Sequence, residues 1–295
     1  MHAVVIHETG GPEVLRYEEA PDPQPTAGEA LVRIEAAGVN HYDLNRRAGA
    51  ASDFPTILGG DGAGRRDDTG RRVLVTNAPG TYAELVAVRE ENVYPIPDGL
   101  GAAEAAALGV PYRTAWWSIV ELGGLKEGQT LLVQAGSSAT GQASIDIGRA
   151  LGAVVHATAS SSKLDRIREL GAEPLEYGDP RIHELRAAVV FDPVGADTFS
   201  DSVEALGPEG TLVTPGALGS PIVSFNVWTL VGRKARIQGI GSAPAPRETI
   251  ERLISLAEEG KLRPVIDREL PLERAADAHR AIEAREIFGK VILRP

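Results

Sequence analysis

The run Leu131-Leu132-Val133-Gln134-Ala135-Gly136-Ser137-Ser138-Ala139-Thr140-Gly141 carries the strongest local chemistry in the chain. Three apolar residues enter a Gly/Ser-rich turn, and a helical face of Ala139, Ala143, Ile147 and Ala150 leaves it. A helix starting there points unpaired N–H groups and a positive dipole end outward, which suits an anion. A dinucleotide fingerprint wants small residues at three positions, here Ala135, Ser138 and Gly141. The middle position is normally glycine, so that backbone can approach a pyrophosphate. The Ser138 hydroxyl could bond a phosphate oxygen or block it. A tight turn with no ligand fits the same residues, so the motif needs its context.

That context lies after the next strand, Val154–Thr158, in Ala159-Ser160-Ser161-Ser162-Lys163. An NAD site puts Asp or Glu near this strand end to hold both ribose hydroxyls. Hydroxyls and a cation suit the extra 2′-phosphate of NADP(H) instead. Structural readings compete: Ser162-Lys163-Leu164-Asp165 fits a capping box, and Lys163 fits a solvated first-turn lysine. The helix that follows has Leu164, Ile167 and Leu170 on one face and Gly171 as its stop.

Other residues invite chemistry less. The histidines His2, His7, His41, His156, His183 and His279 are scattered, and none pairs at metal-ligand spacing. His279 shares an apolar helix face with Ala275 and Ile282, which predicts a buried structural ring. His41 and Tyr42 follow Asn40 at a strand end, where packing and catalysis both fit. Trp116 and Trp117 fall in an apolar helix and read as core. Asp192 ends a strand, where ligand contact and turn capping fit equally. No G-x-S-x-G occurs, which sets a serine hydrolase aside.

The elements that must position these groups fall into two sets. A chain of 295 residues suits two domains, or one carrying an insertion. The first hundred residues are strands and turns: Val4–His7, Ala30–Ala37, Arg72–Thr76 and Tyr82–Val88. After Gly109 apolar strands alternate with helices: Leu131–Val133, Val154–Thr158, Val189–Phe191, helix Thr198–Leu206 and Thr211–Thr214. That pattern predicts a parallel sheet covered on both faces. A helix through Ile250, Leu253, Ile254 and Ala257 ends at Gly260. Strand Arg268–Leu270, helix Leu272–Ala284 and strand Lys290–Leu293 then resemble the first part again. The expected organisation is a discontinuous domain, 1–109 with 246–295, and an inserted doubly wound domain, 110–245.

Composition narrows the function. Thirty Lys and Arg against 41 Asp and Glu give a net charge of −11, which repels phosphate backbones and argues against nucleic acid. The absence of cysteine excludes disulfides, thiolate zinc sites, iron–sulfur ligation and a thiol nucleophile. The start MHAVVIHETGG lacks signal-peptide character, and prolines and glycines break the uncharged stretch Thr211–Gly232. The expectation is a cytoplasmic protein without a membrane span.

Taken together, the chain resembles the medium-chain dehydrogenase/reductase superfamily, in its zinc-free quinone oxidoreductase (zeta-crystallin-like) branch. The resemblance rests on Ala37-Gly38-Val39-Asn40 with Asp43, Leu58-Gly59-Gly60-Asp61-Gly62-Ala63-Gly64, Thr114-Ala115-Trp116 and Gly124-Leu125-Lys126. It continues through the phosphate turn, Arg149-Ala150-Leu151-Gly152-Ala153, Glu169-Leu170-Gly171-Ala172, Phe191-Asp192-Pro193-Val194-Gly195 and Gly289-Lys290-Val291. It implies a GroES-like, partly open β-barrel catalytic domain, a Rossmann domain, and NADPH in the cleft between them. Zinc-dependent relatives carry ligand Cys and His where this chain has Asn40 and Gly60, which implies a site without metal.

The resemblance also implies roles. Asn40 and Thr114 correspond to positions near the nicotinamide, and Asn40, Tyr42 or an ordered water would stabilise or protonate a developing oxyanion. Ser137, Ser138, Ala139 and Thr140 correspond to the pyrophosphate turn, and Ser160, Ser161 and Lys163 to the 2′-phosphate pocket. Tyr177 would pack on the adenosine side, with Val194, Gly216, Ala217 and Ile240 along the nicotinamide half. The chain departs from the pattern at Pro193, at Ala217, at Ala51 (a substrate-facing tyrosine in several relatives) and in a trimmed hairpin between Gly64 and Arg71. The implied activity is NADPH-dependent hydride transfer to a quinone or other conjugated carbonyl. A non-catalytic nucleotide-binding sensor and an enoyl-thioester reductase are the alternatives. Strand Ala235–Ile240 reads as a sheet edge, through which relatives commonly form a homodimer.

Overall fold

The computed structural model describes residues 1–241 and 246–295. The chain divides into two compact units, Met1–Val110 with Ala245–Pro295, and Pro111–Pro244. The expected boundary at 245 falls on 242–245, outside the described residues.

The chain opens with β1 (His2–Ile6), β2 (Arg16–Glu19) and β3 (Glu29–Gly38), then α1 (His41–Asn45) and β4 (Thr56–Ile57). It continues through β5 (Asp61–Arg66), β6 (Arg72–Thr76), β7 (Leu85–Arg89), β8 (Val93–Pro95) and α2 (Ala102–Ala107). Strand β3 is the hub. Ala30, Val32, Ile34 and Ala36 alternate inward along it, and it pairs with both β5 and β7. The strand expected from Tyr82 starts later, at Leu85. Tyr82 is instead buried, with its amide bonded to the Leu58 carbonyl.

The second unit holds α3 (Arg113–Trp116), β9 (Thr130–Val133), α4 (Ala139–Ala150), β10 (Val154–Ala159), α5 (Leu164–Glu169) and β11 (Glu173–Glu176). Then come β12 (Ala187–Phe191), α6 (Ala196–Ala205), β13 (Leu206–Thr214), α7 (Val227–Arg233) and β14 (Arg236–Gly239). These strands form one parallel sheet in the order β11-β10-β9-β12-β13-β14. Leu131, Leu132, Val133, Val189, Val190 and Phe191 are fully buried, which explains their uninterrupted apolar runs. The strand order reverses at β9, where α/β sheets of this kind leave a crevice beyond the strand ends. Strand β14 forms the edge, with Arg236 and Gln238 exposed. Trp116 and Trp117, expected in the core, are only half-buried.

The chain returns to the first unit through α8 (Arg247–Glu258), β15 (Ile266–Pro271), α9 (Ala275–Glu283) and β16 (Lys290–Arg294). Its large sheet runs β15-β16-β3-β5-β6-β8, with β7 also on β3, and a smaller one runs β2-β1-β4. Val4, Val32, Leu58, Val75, Leu272 and Val291 share its core. Among the described residues no helix is long and apolar enough to cross a membrane.

Candidate functional site

In the second unit the turn after β9 is a tight cradle. Ala135 takes a positive φ of 53°, uncommon without glycine. A Cβ on Gly141 would lie 2.2 Å from the Ala135 carbonyl oxygen, so only glycine lets α4 start this close to the turn. Ser138 is the N-cap of α4: its hydroxyl donates to the Ala135 carbonyl at 2.8 Å and accepts from the Gly141 amide at 3.0 Å. The hydroxyl is thus committed to the turn itself, a capping role that neither sequence expectation included. Capping uses its proton and one of its lone pairs. Ser137, Ser138, Ala139 and Thr140 are the half-buried part of a turn otherwise buried from Gln134 to Gly136. The Ala139 and Thr140 amides open α4, where no intrahelical acceptor exists.

Beyond β10, Ser160 and Ser161 are exposed and Lys163 is half-buried. The expected Ser162 capping box does not form. A single 3₁₀ turn, Ser161–Lys163, precedes α5, the N-cap residue is Lys163, and no side chain caps it. Asp165 pairs with Arg168 at 2.6 Å instead. Tyr177 follows β11 and is exposed.

Asp192 ends β12 fully buried and accepts from the amides of Val194 (2.8 Å) and Gly195 (3.2 Å) and the hydroxyls of Thr198 (2.9 Å) and Ser202 (2.7 Å). Of its two open readings, turn capping is the one it performs. Gly216 and Ala217 follow β13, and Ile240 follows β14. With Gly195, Thr214 and Gly239 they line a pocket of about 450 Å³. Because the sheet is parallel, all these groups gather at its carboxyl edge. Thr114 stands apart, half-buried on α3.

The first unit holds a buried charged cluster under Asn40. The Asn40 amide nitrogen donates to Asp61 Oδ1 (2.8 Å) and the Gly38 carbonyl (3.3 Å), and its Oδ1 accepts from Lys290 Nζ. Asp61 is 0% exposed and Lys290 2%, with Nζ 3.5 Å from Asp61 Oδ2. The Val110 amide adds a 2.8 Å bond to Asp61. A Cβ on Gly38 would lie 2.6 Å from Asp61 Oδ1, and one on Gly109 2.5 Å from Asp61 Cβ, so two glycines wall the carboxylate. Burial lowers the Lys290 pKa against the pull of Asp61 and Asp43.

Asp43 accepts from the Asn40 amide (2.9 Å) and the Gly59 amide (3.0 Å), which fixes the first turn of α1. Burial, opposed by these bonds, raises its carboxyl to about 6. Tyr82, hydrogen-bonded to Asp43, meets His279 Nε2 at 3.2 Å, and His279 Nδ1 faces Arg47 at 3.4 Å. Arg47 pairs outward with Glu283. His279 is buried as expected, and burial pushes its pKa down to about 3.

Asn40 thus has both ends of its amide engaged, leaving no side-chain donor for an oxyanion. Tyr42 is 62% exposed on the first turn of α1. Sequence reasoning missed Asp61 and Lys290 as functional partners. One signal was available: a lysine adjoining the apolar run Val291-Ile292-Leu293 must find a buried counter-charge.

Two family models match the chain. The family described as "Alcohol dehydrogenase GroES-like domain" matches residues 26–98, and "Zinc-binding dehydrogenase" matches 170–293. A quinone oxidoreductase of Pseudomonas aeruginosa is 31% identical over 97% of this chain and 97% of its own length. The crystal structure of an NAD-dependent alcohol dehydrogenase superposes with a TM-score of 0.93 and 34% identity, covering 100% of both chains. A mycobacterial protein solved complexed with NADPH gives 0.89 and 28%, again over 100% of both.

Proposed function

The chain belongs to the medium-chain dehydrogenase/reductase superfamily, in its quinone oxidoreductase branch, and from that membership we propose an NADPH-dependent, zinc-independent reductase of a quinone or another conjugated carbonyl. That it is an oxidoreductase follows from the family. The reading of the cofactor is carried by one observation: the strand end after β10 offers Ser160, Ser161 and Lys163 where an NAD site would place a carboxylate. The open front of α4 and the close approach at Gly141 fit a pyrophosphate.

When bound, the nucleotide supplies the hydride. The Ala139 and Thr140 amides hold its pyrophosphate, and Ser137 borders it. Ser160, Ser161 and Lys163 hold the 2′-phosphate, and Tyr177 packs on the adenosine. Val194, Gly216, Ala217 and Ile240 line the nicotinamide half; Thr114, on α3, is the further residue offered there. Tyr42 is the residue offered for proton donation to the substrate oxygen, while a quinone can also take its proton from solvent. Asn40 changes role: engaged by Asp61 and Lys290, it holds the start of α1 in place instead of serving as an oxyanion donor. The Ser138 hydroxyl is used in capping, which supports an open turn over the non-catalytic reading on that one of its grounds.

No cysteine occurs, and among the described residues no group of three or more His, Cys, Asp or Glu is placed to hold a metal. Elemental analysis should find no stoichiometric zinc, and about one zinc per chain, lost together with activity on chelation, would overturn that part. NADPH should bind at least about tenfold more tightly than NADH, roughly 1.4 kcal/mol, and Lys163→Ala should erase most of the preference. Equal affinities in the wild-type protein would end the NADPH reading. Edge strand β14 and the exposed Val227, Trp228 and Val231 on α7 support a homodimer, and a monomer mass by light scattering would oppose it.

A further inference from the structure

We propose that Gln134 is a positioning residue that couples the phosphate turn after β9 to the Val194–Gly195 turn after β12, so that both halves of the nucleotide site are set together. This rests on the nucleotide reading above.

Gln134 is 1% exposed and directly follows β9, the strand between β10 and β12. Its amide has partners on both sides. Oε1 accepts from Thr158 Oγ1 at 2.6 Å, and Nε2 donates to Ser202 Oγ at 3.0 Å. The hydroxyls continue the line. Thr158 accepts from the Ala135 amide at 3.2 Å, and Ser202 donates to Asp192 at 2.7 Å. The path therefore runs one way: Ala135 N–H to Thr158, Thr158 O–H to Gln134, Gln134 N–H to Ser202, and Ser202 O–H to Asp192. Each member donates toward the carboxylate, the arrangement in which neighbouring bonds polarise one another.

The two ends of the path are the backbones that face the ligand. Ala135 is held at a positive φ, and the amide bonded to Thr158 is its own. Asp192 holds the Val194 and Gly195 amides. An acceptor on one side and a donor on the other are both required at the middle position. Glutamine supplies them; an ionised glutamate lacks the donor and leucine lacks both.

The test uses NADPH and its fragment 2′-phospho-ADP-ribose, which lacks the nicotinamide and so does not reach the Val194 turn. Asp192→Asn, at the far end of the path, should weaken the fragment as well as NADPH, by about fivefold or more. Adding Thr158→Val should weaken it little further, because the path is already broken. Thr158→Ser, which keeps the hydroxyl, should restore wild-type affinity to a Thr158→Val protein. Unchanged fragment binding in Asp192→Asn, or simple additivity of the two changes, overturns the coupling. Where Asp192→Asn does not fold, Ser202→Ala removes a single link and takes its place. Amide hydrogen exchange gives a readout without ligand: Ser202→Ala should speed exchange at Ala135. Unaltered exchange there sinks the coupling even if NADPH binds, whereas faster exchange in a protein that binds no NADPH sinks the nucleotide reading alone.

Discussion

Beneath Asn40 a lysine ammonium faces two buried carboxylates, whereas beneath Gln134 a single carboxylate faces only neutral donors. The first arrangement joins residues 40, 43, 61 and 290, and the second draws on one contiguous stretch, 134 to 202. The difference sets how each fails. A buried ion pair that loses one partner leaves an uncompensated charge, which nothing nearby can neutralise. A path of neutral groups loses one bond at a time and keeps the rest.

Lys290→Met is the strongest way to break this comparison. It leaves Asp61 without its cation and should cost about 3–5 kcal/mol, read from urea midpoints. Ser202→Ala should cost only about 1 kcal/mol in the same assay. Equal losses would mean that the two clusters are energetically alike.

Titration sharpens the contrast. Asp43 is raised from an ordinary 3.8 to about 6, so between those values the folded protein keeps a proton that the unfolded chain has released. Its contribution is full below the unfolded value and is lost as pH rises through the folded one, by roughly 3 kcal/mol at most. Stability of the wild-type protein should therefore fall more steeply from about pH 4 to 6.5 than that of Asp43→Asn. Parallel pH profiles for the two proteins would remove Asp43 from the account.

The smallest effect belongs to the turn. Ser138→Gly should cost only a few tenths of a kcal/mol of stability, because glycine is itself a tolerated N-cap. It should change NADPH affinity by less than about 1 kcal/mol, the scale of one hydroxyl hydrogen bond. A large gain in affinity would show that the serine obstructs the site after all.

Local pattern made the second unit readable. The apolar face of Ala139, Ala143, Ile147 and Ala150 spans the observed α4 from end to end, and the expected strands all form in its parallel sheet. Hydroxyl direction was not readable, since Ser138 and Ser162 sit alike before helices and only Ser138 caps one. The cluster under Asn40 was hidden for a different reason: strand register builds it. Ile292 pairs with Gly38 and Ala37 with Gly62, which brings Lys290 and Asp61 to the end of β3 beside Asn40. No spacing in the chain encodes that register, because it depends on which strands meet. The resemblance had included Asp43, Asp61 and Lys290 among its matching stretches without showing that they meet.

The line through Arg47, His279 and Tyr82 fixes more than packing. A guanidinium can only donate, so His279 Nδ1 must accept and the ring proton must sit on Nε2, facing the Tyr82 oxygen. The phenol proton is then left for Asp43. For a spectroscopist this makes His279 a ring of one tautomer that stays neutral well below the range where a free imidazole takes up its proton. Its resonances should hold still across neutral pH and serve as an internal zero against which the exposed histidines can be followed.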